Sequence, residues 1–291
     1  MADLTSCLEL KRDLLLAPYT TFGIGGPAKY AVIVRTASEM EELLNWARLG
    51  GERTLIIGRG SNLLLDQRGF DGLAIINRME WCRAVSTQIE VGAGYSFALL
   101  GVRAARSGFS GLEFAAGIPG SVGGAVFMNA GAGGQETAQH LADVEVLTLA
   151  GDRMRLAREE LNFSYRTSPF QTDGSIVLSA TFQLKPSDRA RDEQLISLRN
   201  RSASQPLQEK SAGCIFRNPP GRAAGKIIDE CGLKGRMIGG AQVSYKHGNF
   251  IVNSGAATSS DVLSLIAHLK EEVLRLSGIF LEEEVRYIPY C

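Results

Sequence analysis

Between Ser38 and Leu49 the apolar positions Met40, Leu43, Leu44 and Ala47 recur at three- and four-residue spacing, which predicts a helix with one buried face. Ser38 and Glu41 read as its capping box, and Gly50 as its stop. The run Thr54–Ile57, "TLII", predicts a strand, followed by the loop "GRGSN" and a second strand near Leu73–Ile76. The β-α-β rhythm then repeats loosely: "QIEV" as a strand and Ser96–Arg106 as a helix ending near Gly108. Val144–Leu149 and Met154–Leu156 predict a hairpin turning at "AGDR". In "SIVLSATFQL", Ile176, Leu178, Ala180, Phe182 and Leu184 alternate onto one face, the pattern of a half-buried strand. "KPSDRAR" after it is polar and carries a proline, and reads as a linker. Helices follow near Arg191–Ser204, Ala223–Cys231 and Ser260–Ser277. The last of these carries a stripe of Val262, Ile266, Leu269, Val273 and Leu276 ahead of Gly278. A closing strand is expected in "LEEEVRYI". These elements predict an α+β protein with a larger nucleotide- or flavin-type domain before residue ~185 and a smaller one after it.

Composition narrows the function. The 291 residues are 45% apolar and 21% charged with a formal net charge of zero, so bulk electrostatics make no claim on nucleic acid or anionic membrane. The cysteines Cys7, Cys82, Cys214, Cys231 and Cys291 are far apart and form no CxxC pair. Neither a disulfide framework nor a metal site is suggested. The opening "MADLTSCLELKRDLLLAPYT" holds only three consecutive leucines, too few for a signal peptide, and no segment approaches the roughly 20 apolar residues of a membrane span. The expectation is a reduced, cytoplasmic protein.

The sharpest local signal is glycine. Gly108–Gly134 spends nine of its 27 residues on it, without the triplet repeat of collagen. "GIGGPA" at Gly23–Ala28 matches G-x-G-x-x-A but runs into the strand-like "KYAVIV", and so reads as a structural turn rather than a dinucleotide fingerprint. "GRGSN", Gly58–Asn62, follows a strand and offers bare backbone N–H groups, either a pyrophosphate nest or an ordinary tight turn. Gly117, Gly120, Gly123 and Gly124 remove side chains where Pro119 is placed to start a helix. That arrangement suits either anion capture at a helix N-terminus or close packing through small residues.

Seven blocks then occur in register. "TTFGIGGPA", "GRGSNLLL", "GLEFAAGIPGSVGGAVFMNAGAGG", "FSYRTSPF", "SAGCIFRNP", "AAGKIIDECGLKG" and "LEEEVRYI" together resemble the UDP-N-acetylenolpyruvoylglucosamine reductase family, in its shorter type, from about Pro18 to Ile288. The resemblance implies a vanillyl-alcohol-oxidase-like FAD-binding fold with subdomains at 1–80 and 81–187 and a substrate-binding domain at 188–291. It implies non-covalent FAD, NADPH as co-substrate and a UDP-sugar substrate, and acts in peptidoglycan precursor synthesis. On that mapping Gly58, Arg59, Gly60, Ser61 and Asn62 contact the flavin dinucleotide, as do Gly117, Ile118, Pro119, Gly120, Ser121, Gly123, Gly124 and Asn129.

The implied reaction adds hydride to an enolpyruvyl ether and pushes charge onto the substrate carboxylate. It therefore needs a group to stabilise that charge and an acid to protonate the adjacent carbon. Arg166 matches the family's arginine; a guanidinium grips a carboxylate with two hydrogen bonds and stays charged. Glu284 matches its glutamate, whose polarising role requires a raised pKa. Strand alternation places Glu284 with Glu282 and Arg286, opposite Leu281, Val285 and Tyr287. Cys214 stands where the family usually has serine. A thiol, with a pKa of about 8.5, is a better acid than an alcohol, and Ser211 or a water remains the alternative donor. Asn218, of the same parity as Cys214 in an extended segment, together with Arg217, His247 and Tyr165, is expected at the substrate; Lys210 and Lys234 are cationic candidates without a mapping. A flavin oxidase of the same fold and a flavin or nucleotide-sugar sensor are the rival readings.

Overall fold

The structure, a computed structural model, describes residues 8–291; Cys7 and the start of the leucine-containing N-terminal segment lie outside the described residues. The chain groups into two compact units. One contains Val32–Arg59 and Ala74–Arg201; the other contains Lys11–Ala31, Gly60–Leu73 and Ser202–Cys291.

The first unit is built on a five-stranded antiparallel sheet in the order Arg153–Ala157, Leu141–Leu147, Ile176–Gln183, Gln88–Gly92, Cys82–Val85. The predicted hairpin is the pair Leu141–Leu147 and Arg153–Ala157. Ile176–Gln183 is buried on both faces rather than one: Val177, Ser179 and Thr181 are buried, as are Leu178, Ala180 and Phe182. The polar members survive burial because Ser179 and Thr181 donate to Glu145 (3.1 Å) and Asp143 (3.0 Å) on the neighbouring strand. Helix Phe97–Arg106 begins at its Ser96 cap and lays Phe97 edge-on against Phe114, with ring centroids 5.9 Å apart. The "KPSDRAR" segment is not a linker. Lys185–Pro186 pairs with Phe109–Ser110, and a helix already runs over Ala190–Ser204.

Helix Ala37–Gly50 forms as its apolar stripe dictates, with Met40, Leu43, Trp46 and Ala47 buried, but its cap lies two residues earlier than expected. Thr36 and Glu39 form the reciprocal box, and Gly51, at φ 65°, takes the left-handed position that ends the helix.

The second unit packs helices Ala224–Glu230 and Ser259–Ser277 on an antiparallel sheet ordered Ser211–Cys214, Phe250–Asn253, Ala241–Val243, Met237–Ile238. Helix Ser259–Ser277 buries Val262, Leu265, Ile266, Leu269 and Val273, each worth about 1.5–3 kcal/mol of transfer free energy. Leu276, placed on the stripe by sequence, is instead 49% exposed, because the helix ends one residue later and its last turn overhangs the core. The same core takes in Phe22, Leu64, Ile215, Phe216 and Leu281. Only Arg286–Ile288 of "LEEEVRYI" is a strand, parallel to Leu63–Leu65. Leu281 and Val285 are buried as expected. The residues between them lie against the segment after Cys214 through backbone bonds and a single bridge, Phe216 to Glu283.

Candidate functional site

Two groups of the expected residues assemble, one within each unit. In the first unit, the strand Thr54–Ile57 delivers Gly58 against Ser121: a Cβ on Gly58 would stand 2.1 Å from the Ser121 hydroxyl. Ser121 is the N-cap of the short helix Val122–Phe127 and accepts from the Gly124 N–H (3.3 Å). Pro119 thus lies ahead of the helix instead of starting it, and is exposed, as is Gly124.

The glycines serve packing at least as much as access. Beta carbons would come within 2.2 Å of the Arg201 side chain at Gly117, 2.9 Å of Ala93 at Gly123, and 2.2 Å of the Tyr19 carbonyl oxygen at Gly60. Even so, Gly58–Asn62 and Gly117–Gly124 contain no carboxylate, and the Arg59 guanidinium is held by Glu80 at 3.3 Å. Bare main chain at Gly58–Arg59 and Gly117–Gly124, meeting at Gly58 and Ser121 within the first unit and free of acidic side chains, fits a pyrophosphate. Ile118 and Gly120 complete the turn between them, with the Gly120 carbonyl taking the Phe97 N–H at 2.9 Å.

Asn129 has a different place from the one expected. It is 1% exposed, and at φ 41° it occupies the left-handed region. Its amide donates to Glu136 (2.8 Å) and the Ser164 carbonyl (2.9 Å), and its oxygen accepts from the Ala138 N–H (3.1 Å). Both donors are thereby engaged inside the unit, and Asn129 ties the glycine-rich segment to the turn that carries Tyr165 and Arg166. That turn closes through Ser164 N–H to Thr167 (3.1 Å) and Thr167 N–H to Ser164 (3.0 Å). Arg166 sits in it at φ 56° with its guanidinium 5.0 Å over the Tyr165 ring, donating to the Gly131 carbonyl at 3.1 Å.

In the second unit, Cys214 ends the strand Ser211–Cys214 opposite Phe250. Gly213, at φ 75°, and a register shift between Ser211 and Cys214 break the alternation there. Ile215 and Phe216 are both buried in succession, so the parity argument linking Cys214 to Asn218 does not hold. Asn218 instead lends its side-chain oxygen to the N–H of Ala224, at the start of helix Ala224–Glu230 (3.0 Å). The Ile215 carbonyl accepts from the Glu284 N–H at 2.7 Å, and the Arg217 N–H donates to Glu282 at 2.8 Å. Asn62, from the "GRGSN" loop, donates its amide to the Glu284 carbonyl at 3.1 Å, and its own carbonyl takes the Arg286 N–H at 3.0 Å. Ser61 lies alongside, its carbonyl oxygen 3.9 Å from where a Gly213 Cβ would be. Cys214 and Glu284 are therefore neighbours through their backbones, whereas Arg166 belongs to the first unit.

His247 stacks edge-on with Phe250 at 4.9 Å, and its Nδ1 accepts the Asn249 N–H (3.2 Å). Lys210 folds over Gly23, 3.2 Å from its would-be Cβ, and Lys234 pairs with Asp229 at 2.6 Å. Sequence reasoning missed Asn249, buried at 2%. Its side chain both accepts from Phe216 N–H (2.9 Å) and donates to Phe216 carbonyl (2.7 Å), fixing the segment after Cys214. An asparagine in "KHGNF" between a histidine and a buried strand was its only signal. Burial pushes the thiols of Cys82 and Cys231 up from their ordinary value, and none of Cys82, Cys214, Cys231 and Cys291 is part of a disulfide. Among the described residues, no group of three or more His, Cys, Asp or Glu is placed to hold a metal, and no helix is long and apolar enough to cross a membrane.

Residues 28–157 match the FAD binding domain family, and residues 205–288 match the C-terminal domain of UDP-N-acetylenolpyruvoylglucosamine reductase. The UDP-N-acetylenolpyruvoylglucosamine reductases of Protochlamydia amoebophila and Chlamydia abortus are each 51% identical over 283 residues, spanning 97% of this chain and 95% of theirs. That of Chlamydia trachomatis serovar A is 48% identical, spanning 97% of each. The crystal structure of the Thermus caldophilus enzyme superposes with a TM-score of 0.82 at 40% identity, covering 97% of this chain and all of that one. The sheets and helices described above, with these likenesses, bear out the α+β, vanillyl-alcohol-oxidase-like fold class.

Proposed function

This chain belongs to the UDP-N-acetylenolpyruvoylglucosamine reductase family, and from that premise we propose which residues carry its reaction and what reduces it. It is an FAD-dependent oxidoreductase of peptidoglycan precursor synthesis that reduces the enolpyruvyl ether of UDP-N-acetylglucosamine to the lactyl ether. NADPH is the reductant, the enzyme works in the cytoplasm, and its three working parts are the FAD subdomains 1–80 and 81–187 and the substrate domain 188–291. Bound FAD supplies two-electron hydride chemistry to the enol carbon–carbon double bond.

Gly58–Asn62 and Gly117–Gly124 hold its pyrophosphate along bare main chain. Arg166 grips the substrate carboxylate and neutralises the charge that gathers there as the terminal carbon is reduced. Glu284, in its protonated form, polarises the same carboxylate by donating a hydrogen bond to it. The Cys214 Sγ–H delivers its proton to the carbon next to the carboxylate, and the thiolate is reprotonated from solvent. Arg217, Asn218 and His247 bind the substrate's UDP portion, and Tyr165 lies beside the substrate next to Arg166. The observation that most supports these roles is the 2.7 Å bond from the Glu284 N–H to the residue after Cys214, braced by Asn62 on the other side of Glu284.

The test is a two-step anaerobic experiment. NADPH is expected to bleach the bound flavin, and the UDP-enolpyruvyl sugar to restore its colour. Restoration by oxygen alone at a comparable rate would point to an oxidase, and a colourless purified protein to a sensor. Cys214→Ala is expected to keep flavin reduction and lose at least about 100-fold in reoxidation by substrate, whereas Cys214→Ser retains substantial turnover. A wild-type rate for the alanine variant removes Cys214 from the mechanism.

A further inference from the structure

Arg166 occupies a backbone conformation that an arginine adopts only when its surroundings impose it. Its φ of 56° lies in the left-handed region, at the third position of the Ser164–Thr167 turn, where glycine is the ordinary choice. A non-glycine residue persists there when neighbouring groups fix the turn independently. Two amide side chains do so. Asn129 holds the front of the turn through the Ser164 carbonyl, at 2.9 Å. Gln171 holds Arg166 itself: its Nε2 donates to the Arg166 carbonyl at 3.1 Å and to the Phe127 carbonyl at 2.8 Å, with the Met128 sulfur 3.7 Å away. Ser168 donates to the same Phe127 carbonyl at 2.7 Å, so the turn is anchored to the segment that ends helix Val122–Phe127. The guanidinium is then steadied by the Gly131 carbonyl and the Tyr165 ring.

We propose that Gln171 is a positioning residue for the reaction: its amide locks the Arg166 carbonyl, and thereby aims the guanidinium at the substrate carboxylate. The inference rests on the reading of Arg166 given above. It assigns Gln171 no contact with substrate or flavin. A residue that acts only through Arg166 loses its influence once Arg166 is gone, and this separates positioning from a general structural role. It also acts on the part of the substrate that Arg166 touches, the enolpyruvyl carboxylate, and not on the nucleotide.

The experiment uses the flavin-loaded enzyme with Gln171→Met, which keeps length and volume but removes the donor, alongside Arg166→Ala and the double variant. Flavin content and the rate of flavin reduction by NADPH are expected within about 2-fold of wild type in all three, and they report an intact fold. Reoxidation by the UDP-enolpyruvyl sugar is expected to fall about 10-fold in Gln171→Met, a loss typical of slight misplacement of a reacting group. In the Arg166→Ala background, Gln171→Met is expected to add less than about 2-fold. Binding of the enolpyruvyl sugar weakens in Gln171→Met, while binding of UDP-N-acetylglucosamine, which lacks the carboxylate, is unchanged. Full additivity in the double variant, or equal weakening of both ligands, overturns the positioning role. A normal reoxidation rate for Arg166→Ala overturns the reading of Arg166 and the proposal with it. If Gln171→Met does not retain flavin, Gln171→Glu, which preserves length and an acceptor but lacks the donor, carries the same comparison.

Discussion

Asp66 shows how much a single residue can fix. It is 3% exposed and accepts from the Arg68 N–H (2.8 Å), Nε (3.1 Å) and Nη2 (2.7 Å), and from the Tyr287 hydroxyl (2.7 Å). The Arg68 hydrogen bond, foremost, holds its carboxyl far below the ordinary carboxylate range, although burial works the other way. A carboxyl whose folded pKa is depressed stabilises the fold fully above its unfolded value, about 4, and progressively less as the pH falls below that. Asp66→Asn is therefore expected to cost about 1–3 kcal/mol at pH 7 and to flatten the loss of stability below pH ~4. Urea midpoints at pH 7 and pH 3 check this; parallel shifts for both proteins would show that Asp66 contributes no proton linkage. Nothing in "LLLDQRG" announces this role, because its partner Tyr287 lies 221 residues away. Cys214, Arg166 and Glu284 could be proposed for chemistry only as members of motif blocks, since the contacts a reaction needs are not encoded in spacing along the chain.

At the scale of elements, periodic apolar positions were the reliable guide. The helices at Ala37–Gly50 and Ser259–Ser277 stand where their stripes predicted, because an amphipathic face must be buried whatever the tertiary detail. Caps were less legible: Ser38 and Thr36 both satisfy the pattern, and only the extended backbone of Thr36 (φ −131°) decides between them. Alternation failed at Cys214–Asn218 because a glycine with positive φ resets the register, and at Ile176–Gln183 because polar residues paired with a neighbouring strand tolerate burial. The glycine clusters misled in a useful way, since the close packing read as their bland alternative is present alongside the bare main chain. Gly58→Ala forces the Ser121 hydroxyl off its cap of Gly124. It is expected to weaken FAD binding at least about 10-fold and to lower stability by about 1–2 kcal/mol, measured by flavin titration and thermal melting. Unchanged flavin affinity would show that this contact does not shape the cofactor cradle.

For the whole molecule, neither compact unit is a continuous stretch of chain: the polypeptide crosses from one to the other at Leu10–Lys11, within Pro27–Val34, at Arg59–Gly60, within Phe70–Asn77 and at Arg201–Ser202. The family match to residues 205–288 therefore covers only part of the second unit, which also needs Lys11–Ala31 and Gly60–Leu73. Phe22 and Leu64 from those early segments are fully buried in its core. Because FAD binds the folded chain and not the unfolded one, removing it is expected to lower the melting temperature, and free FAD at 100 times its Kd to restore about 2.7 kcal/mol. A melting temperature indifferent to FAD would contradict the cofactor's tie to the fold.

The parallel pairing of Arg286–Ile288 with Leu63–Leu65 has a consequence for biosynthesis. As the nascent polypeptide leaves the ribosome, Leu63–Leu65 emerges long before its partner strand exists, and its apolar side chains wait for nearly the whole of translation. A stop codon just ahead of Arg286 would leave that early strand permanently unmatched, so such truncations should yield aggregated protein, not a trimmed enzyme.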